Sequence, residues 1–432
     1  METHLADWIK GSATGDEAES ILRACVHCGF CNATCPTYQL LGDELDGPRG
    51  RIYQIKQMLE GYTPTQSTQL HLDRCLTCLN CETTCPSGVR YGRLVEIGRE
   101  VVEQQVPRSP VQRGRRALLR RFVTTRWLFD STVRLGRLLR PLLPKRLRTK
   151  LPVLRNAGAW PGRTHARKVL LLNSCVQPAL MPAIDAATAR VLDALQIEAI
   201  IEPRSGCCGA IDFHLTALEA ARNAARRNID AWWPHLERGV DAIIMNASGC
   251  GAQVKDYAHV LGDDPAYADK AARVVALTRD LAEFLAPYTK ELMAQCVPNT
   301  ADPQPSAVGP ERPRYPQSLS PQSSRERIAF HPPCTLQHTQ KIRGVVEGIL
   351  TSLGAELVPF GESHLCCGSA GTYSLLQPEL SQQLRARKLE NIERGQPQMI
   401  LSANIGCLSH LETGTAIPMR HWIEWVDRRI NG

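Results

Sequence analysis

The 432-residue sequence predicts a multidomain α+β fold: a helical N-terminal domain, followed by two α/β units of one design related by pseudo-twofold symmetry. Three observations predict it. Eight cysteines fall in two tight clusters before residue 90. A four-cysteine pattern then occurs twice at a near-constant offset. Around it, short apolar runs that end near cysteine alternate with helical periodicity, the mark of layered α/β structure. The composition, 43% hydrophobic and 22% charged, is that of a globular chain. With 5% aromatic residues the core must be mostly aliphatic.

The first element is residues 1–105. Its clusters read CVHCGFCNATCP (Cys25, Cys28, Cys31, Cys35) and CLTCLNCETTCP (Cys75, Cys78, Cys81, Cys85). Both follow C-x2-C-x2-C-x3-C-P. Three thiolates so spaced wrap one corner of an iron–sulfur cube, and the fourth, before proline, ligates the other cluster in two-cluster ferredoxins. Structural zinc normally takes cysteines as separated pairs, so two [4Fe–4S] clusters are expected. The cross-over rule gives cluster one Cys25, Cys28, Cys31 and Cys85, and cluster two Cys75, Cys78, Cys81 and Cys35. The 39 residues between Cys35 and Cys75 include the helical stretch RIYQIKQMLEG, which argues for a helical ferredoxin-type domain. His27 and His71 read as surface or hydrogen-bonding imidazoles near the clusters.

The second element, residues 106–165, is a basic helical connector. Between Pro107 and Lys150 there are 14 Lys and Arg against one acid, Asp130, so this stretch carries +13 while the rest of the chain carries −5. Leu118, Phe122, Phe129 and Val133 recur there at helical spacing among Arg115, Arg116, Arg120 and Arg121, and Pro141 and Pro144 end the helix. Such a stripe suits an anionic membrane surface, an acidic partner subunit, or the chain's own core. No nucleic-acid motif accompanies the charge.

Residues 166–295 form the first α/β unit, with strands expected at Arg167–Cys175, Glu198–Glu202 and Asp241–Asn246. Residues 296–326 are a linker with seven prolines between Val297 and Arg325. Residues 327–432 repeat the unit. Cys175, Cys207 and Cys208 recur 159 positions later as Cys334, Cys366 and Cys367, and Cys250 recurs 157 later as Cys407. Each set could complete one cubane, the adjacent cysteines being accommodated by a tight turn at Gly209 or Gly368. Two readings stand: an extra cluster or redox thiol site, or buried thiols packed at glycine-rich turns. The second is preferred on the residues alone. His331, His338, His364 and His410 read as satisfied interfacial imidazoles, and Cys296, which has no repeat mate, as incidental.

Other chemistry is missing from the sequence. It contains no strand-linked G-x-G-x-x-G, no G-x4-G-K-[ST] and no hydrolase triad signature. An organic redox cofactor must therefore come from a partner. The polar N-terminus and the clustered cysteines suit a reducing cytoplasm, and no apolar run approaches the length of a membrane span.

With these residues in hand, the sequence resembles the iron–sulfur subunits of bacterial glycolate oxidases (glycolate dehydrogenases). The stretches that carry the resemblance are SILRACVHCGFCNATCPTYQLLGDELDGPRGRIY, HLDRCLTCLNCETTCPSGVRYGRLVEIGR, NIDAWWP, SGCCGAIDFHL, SHLCCGSAGTY and ANIGC. The resemblance implies a complex with flavin-binding subunits in which glycolate is oxidised to glyoxylate on FAD. The FAD is held by the partners and not by this chain. Electrons then leave through this chain's clusters toward quinone. The basic connector, in a chain with no apolar run of spanning length, is expected to hold the complex peripherally on the inner face of the bacterial cell membrane. The resemblance assigns no catalytic residue here. A wider likeness extends to heterodisulfide reductase, lactate-utilisation and anaerobic glycerol-3-phosphate dehydrogenase subunits, which share the CCG unit. In heterodisulfide reductases that unit typically ends in C-x2-C, where this chain has Ala247 and Asn404 at the earlier position. The alternative is thus a thiol–disulfide or quinone reductase working at the CCG units, or the equivalent subunit for lactate or glycerol 3-phosphate.

Overall fold

Proline and polar caps set the helix starts of the N-terminal domain. In the computed structural model, which describes residues 1–142, 154–296 and 326–432, residues 1–105 contain helices and turns only. Ser12 caps the helix Ala13–Ala24 by accepting from the Gly15 N–H. Pro36 and Pro48 occupy the first positions of Pro36–Leu41 and Pro48–Leu59, where the missing N–H has no intrahelical partner to lose. The apolar faces of Ala13–Ala24, Pro48–Leu59 and Tyr91–Gln105 meet around Leu22, Ile55, Leu59, Leu94 and Val95, all fully buried.

Each α/β unit is a four-stranded, all-parallel sheet. In the first, β1 (Arg167–Leu171), β2 (Ile197–Ile201), β3 (Ala242–Met245) and β4 (Thr278–Asp280) lie in the order β2-β1-β3-β4. In the second, β5 (Arg327–His331), β6 (Glu356–Leu357), β7 (Met399–Ser402) and β8 (Met419–His421) lie in the order β6-β5-β7-β8. The continuous apolar runs of β1, β3 and β7 are those of strands covered on both faces. The strands β4 and β8 are three residues each, too short to show a period in the sequence. In both units the chain reverses its winding between the first and third strands. The carboxyl ends of those strands open there onto a crevice, the usual ligand site of an open parallel sheet.

The two units share a core. Ile184, Val191 and Leu192 from the helix Ala183–Ala194 pack in one apolar cluster with Trp422, Val426 and Ile430 from the helix Trp422–Asn431. Arg190 Nη2 lies 2.6 Å from Asp427 Oδ2 across the same seam. The Ser248 N–H donates to Ala403 O at 3.1 Å, and the Ser248 and Thr335 hydroxyls are 2.8 Å apart.

The basic stretch forms two helices, Pro110–Thr124 and Arg126–Leu138, broken at Thr125. Phe122 and Phe129 face each other across the break, ring centres 5.5 Å apart, and Val133 is buried. Much of the charge turns inward. Arg116 pairs with Asp73 at 2.9 Å and Arg120 with Asp212 at 3.1 Å. Arg115 donates to Leu375 O and Arg126 to Asn173 Oδ1. The stretch therefore straps the N-terminal domain to both α/β units. Leu118 departs from the expected stripe: it stays 71% exposed, like Trp127, because it lies off the helix face that carries the part-buried Arg116, Leu119, Arg120 and Val123. Residues 143–150 of the stretch and 297–325 of the expected linker lie outside the described residues.

Candidate metal centres

The two C-x2-C-x2-C segments take the same backbone path. His27 and Gly29 in the first, and Thr77 and Leu79 in the second, have left-handed φ between 52° and 87°. These turns swing the cysteines of each segment to one side, and the Thr77 N–H reaches Cys75 Sγ at 3.4 Å. Cys25, Cys28, Cys31 and Cys85, together with Cys81, line one cavity. Cys35, Cys75, Cys78 and Cys81 line a second. Cys28 is exposed, whereas Cys75, Cys78 and Cys81 are buried. The first cavity thus reaches the surface and the second lies inside.

The electrostatics are those of thiols gathered in a low-dielectric site. Burial pushes the Cys31 thiol up to about 11, helped by the neighbouring Cys25, Cys85 and Cys28. Burial also raises Cys78 and Cys81 well above the ordinary thiol range; Cys334, Cys35 and Cys75 add to the rise at Cys78, and Cys78, Cys75 and Cys35 to that at Cys81. Thiols so placed become ligands when a cation takes the place of their protons, so this donor set fits an iron–sulfur group. Cys75 goes the other way: burial acts to raise it, but the Arg51 and Arg99 guanidiniums outweigh that and hold it below the usual thiol value.

Arg51 belongs to a buried network. It is 1% exposed, its Nε donates to His71 O at 2.8 Å, and its Nη2 lies 3.4 Å from Asp46 Oδ1. Asp46, fully buried, also takes Arg74 Nη1 at 2.8 Å and lies 3.1 Å from His71 Nδ1. Thr37 Oγ1 donates to Asp46 O at 2.8 Å and sits 3.3 Å from Cys35 Sγ. The network ties the Cys35 segment to the helix Gln66–Asp73 that leads into the second motif.

In both α/β units the four cysteines come together at the carboxyl edge of the sheet, in the crevice between the first and third strands. In the first unit the thiols touch in the sequence Cys175, Cys207, Cys208, Cys250. In the second they touch in the sequence Cys334, Cys366, Cys367, Cys407, with Cys334 and Cys366 Sγ 3.9 Å apart. The CCG glycines are required: Gly209 and Gly368 have φ near 90°, and a Cβ on Gly368 would lie 2.5 Å from Ser381 O. The second unit sits directly beside the inner cavity. Cys78 packs with Cys366, Tyr373 and Cys334 in one small cluster, and Asn80 Nδ2 donates to His364 O at 3.3 Å.

His338 is the expected interfacial imidazole, 2.9 Å from both Thr83 Oγ1 and His364 O. His410 Nε2 lies 3.3 Å from Ser381 Oγ, and the side chains of His27 and His364 are at the surface. His71 is buried in the Asp46 network. His331 departs from expectation: it is 1% exposed and neither ring nitrogen has a hydrogen-bond partner. Sequence reading also missed Arg51, Tyr91, whose hydroxyl is 3.5 Å from Cys75 Sγ, and Lys388, buried beside the second unit's thiols. These are single residues outside the motifs, without a spacing signal. His331 did carry one, since its repeat counterpart is Leu172.

Comparison with known proteins agrees with this division. Residues 21–89 match the 4Fe-4S dicluster domain, and residues 169–255 and 328–412 each match the cysteine-rich CCG domain. The chain is 29% identical over 429 residues to the probable glycolate oxidase iron–sulfur subunit of Bacillus subtilis, covering 92% of this chain and 90% of that one. Lactate utilization protein A of Geobacillus thermodenitrificans is 25% identical over 271 residues, 61% of this chain and 99% of that protein. The glycolate oxidase iron–sulfur subunit of Escherichia coli is 50% identical over 431 residues, the whole of this chain and 99% of that one. On this full-length similarity, and with the cysteine-lined cavities in the places the motifs require, the chain belongs to the family of glycolate oxidase iron–sulfur subunits.

Proposed function

We propose that the chain carries electrons out of a glycolate-oxidising complex, taking them from FAD on partner subunits, where glycolate becomes glyoxylate, and passing them toward membrane quinone. The observation that carries this reading is the pair of cysteine-lined cavities sharing Cys81, one open at the surface and one inside. Cys25, Cys28, Cys31 and Cys85 would hold one [4Fe–4S] cluster, and Cys75, Cys78, Cys81 and Cys35 the other. Bound there, the clusters supply one-electron redox steps. The chain's own residues bury the sulfurs, keep water from the inner site, and place the Arg51 and Arg99 charges beside Cys75. Val26 and Phe30, 68% and 63% exposed, give the outer cavity an apolar rim against which a redox partner would dock.

Reconstitution tests the reading. The anaerobically purified chain should contain no FAD and reduce no dye with glycolate. Activity should appear only when FAD-bearing partner subunits are added. A chain that binds FAD or oxidises glycolate alone would overturn it.

Membrane docking is assigned to the outer side of the helical hairpin. Among the described residues no helix is long and apolar enough to cross a membrane. The hairpin does expose Leu118, Trp127 and Leu138 beside exposed Arg113 and Arg121. Each basic residue near an anionic surface contributes about 1 kcal/mol, and salt weakens that hold. The assembled complex should co-sediment with anionic vesicles. A variant with Trp127→Gln, Leu138→Gln, Arg113→Gln and Arg121→Gln should stay in the supernatant with its subunits still associated. Dissociation of the complex would make this face a subunit interface, and unchanged sedimentation would move the membrane contact elsewhere.

A further inference from the structure

The helix Pro48–Leu59 turns two arginines to different cysteine-lined cavities. Arg49 lines the outer one and Arg51 the inner one. Arg49 is half-buried, and its Nε lies 2.5 Å from Glu44 Oε1, so one guanidinium meets one carboxylate near solvent. Arg51 is buried, and its carboxylate, Asp46, is shared with Arg74, so one carboxylate answers two guanidiniums. Arg99 adds a further charge on the inner side, where it binds neutral acceptors. Its Nη2 donates to Cys75 O at 2.6 Å and to Leu72 O at 2.9 Å, and its Nη1 to Thr77 Oγ1 at 2.9 Å. Tyr91, 3% exposed, lines both cavities and donates its hydroxyl to Cys75 Sγ at 3.5 Å. Among the described residues no side chain donates to the sulfur of Cys25, Cys28, Cys31 or Cys85.

We propose that Arg51, Arg99 and Tyr91 give the inner site the higher reduction potential of the two, so that an electron delivered at the surface is drawn inward. The proposal rests on the reading that the two cavities hold [4Fe–4S] clusters. Two effects oppose each other. Reduction adds one negative charge, which burial disfavours, so burial alone would make the inner site the poorer acceptor. The guanidiniums and the phenol act the other way, because a cation or a hydrogen-bond donor beside a cluster sulfur favours the more negative, reduced state. They prevail because they lie in the same water-excluded interior as that charge, where attraction is weakly screened. Arg49 has no such leverage on the outer site, since Glu44 and solvent offset it. The transfer moves one electron and no proton: the outer site is oxidised as the inner is reduced, and Tyr91 keeps its hydrogen. Cys78 packs with Cys366 and Tyr373, so the electron is held against the second α/β unit and away from the surface.

The test is an EPR-monitored redox titration of the full chain purified anaerobically, with iron content measured alongside; neither readout depends on glycolate oxidation. The outer signal is the one that Cys28→Ser alters, and the inner the one that Cys78→Ser alters. We expect the inner signal to appear at the higher potential. Tyr91→Phe, which removes only the hydroxyl, and Arg99→Gln should each lower the inner midpoint and move the outer one less. For Arg99→Gln the ratio of reduced to oxidised inner cluster at a fixed potential should fall about tenfold, 59 mV for one electron. Arg99→Lys, which keeps the charge, should recover most of that shift. Arg49→Gln should move the outer signal alone, and by less. Should Arg99→Gln lose iron, Tyr91→Phe decides. An inner midpoint at or below the outer one, or an inner midpoint unmoved in iron-replete variants, would overturn the proposal while the two-cluster reading stands. A wild-type chain with well under about eight irons, the content of two cubanes, would overturn that reading and the proposal with it.

Discussion

Cys85→Ser is expected to alter the same EPR signal of the reduced protein as Cys28→Ser, although Cys85 belongs by sequence to the motif of Cys78. Cys85 raises the thiol pKa of both Cys25 and Cys31 and lines the outer cavity with them, whereas Cys35 lines the inner cavity with Cys75 and Cys78. A serine oxygen is a harder donor than a thiolate and suits an iron–sulfur cluster poorly. Each substitution should therefore disturb one of two signals and remove up to about four of about eight irons, the content of one cubane. Cys35→Ser should in turn pair with Cys78→Ser. If Cys85→Ser instead follows Cys78→Ser, each motif serves its own cluster and the proposed ligand sets are wrong.

The second large effect is on stability. Asp46→Asn should destabilise the N-terminal domain by about 3–5 kcal/mol, the usual consequence of removing one partner from a buried ion pair. Asp46 is fully buried and its carboxylate faces Arg51, itself 1% exposed, as well as Arg74 and His71. The substitution keeps the shape but strips the charge, so the Arg51 guanidinium is left in the core without its counter-ion. The network bridges the Cys35 segment and the helix before Cys75, so loss of the inner site's chromophore should accompany unfolding. The measurement is the urea midpoint of visible bleaching. Arg23→Gln is the control, since Arg23 pairs with Glu19 at the surface and such pairs are worth about 0–1 kcal/mol. Equal midpoints for Asp46→Asn and the control would mean that the network carries no net stability.

The ferredoxin-type cysteine motifs and the duplication were legible from residues alone, the motifs for a covalent reason. In C-x2-C-x2-C the tether between sulfurs is two residues long, so any fold of the segment keeps the thiols within reach of one small group. The repeat was legible because a gene-level copy preserves spacing: Cys175 to Cys207 and Cys334 to Cys366 each enclose 31 residues. The strands β1, β3 and β5 were visible as apolar runs, since a parallel strand covered on both faces has no polar side to hide it. By contrast, β4, β6 and β8, with two or three residues each, gain their strand character only by pairing with a longer neighbour.

What required the folded chain were the relations between distant residues. The same +13 stretch reads from sequence as one solvated or docking surface. Folding turned Arg115, Arg116, Arg120 and Arg126 onto acceptors 43 to 260 positions away and left Arg113 and Arg121 outside. The four thiols of each CCG unit could have been scattered packing, but the reversal of winding between the first and third strands brings them to one crevice. His331 and Leu172 hold the same place in the two copies, and only the tertiary environment made one a packed side chain and the other an unpartnered imidazole among sulfurs. Local spacing selects which groups can act together within one segment. Burial and charge balance, which decide whether they do, are sums over residues that the sequence keeps far apart.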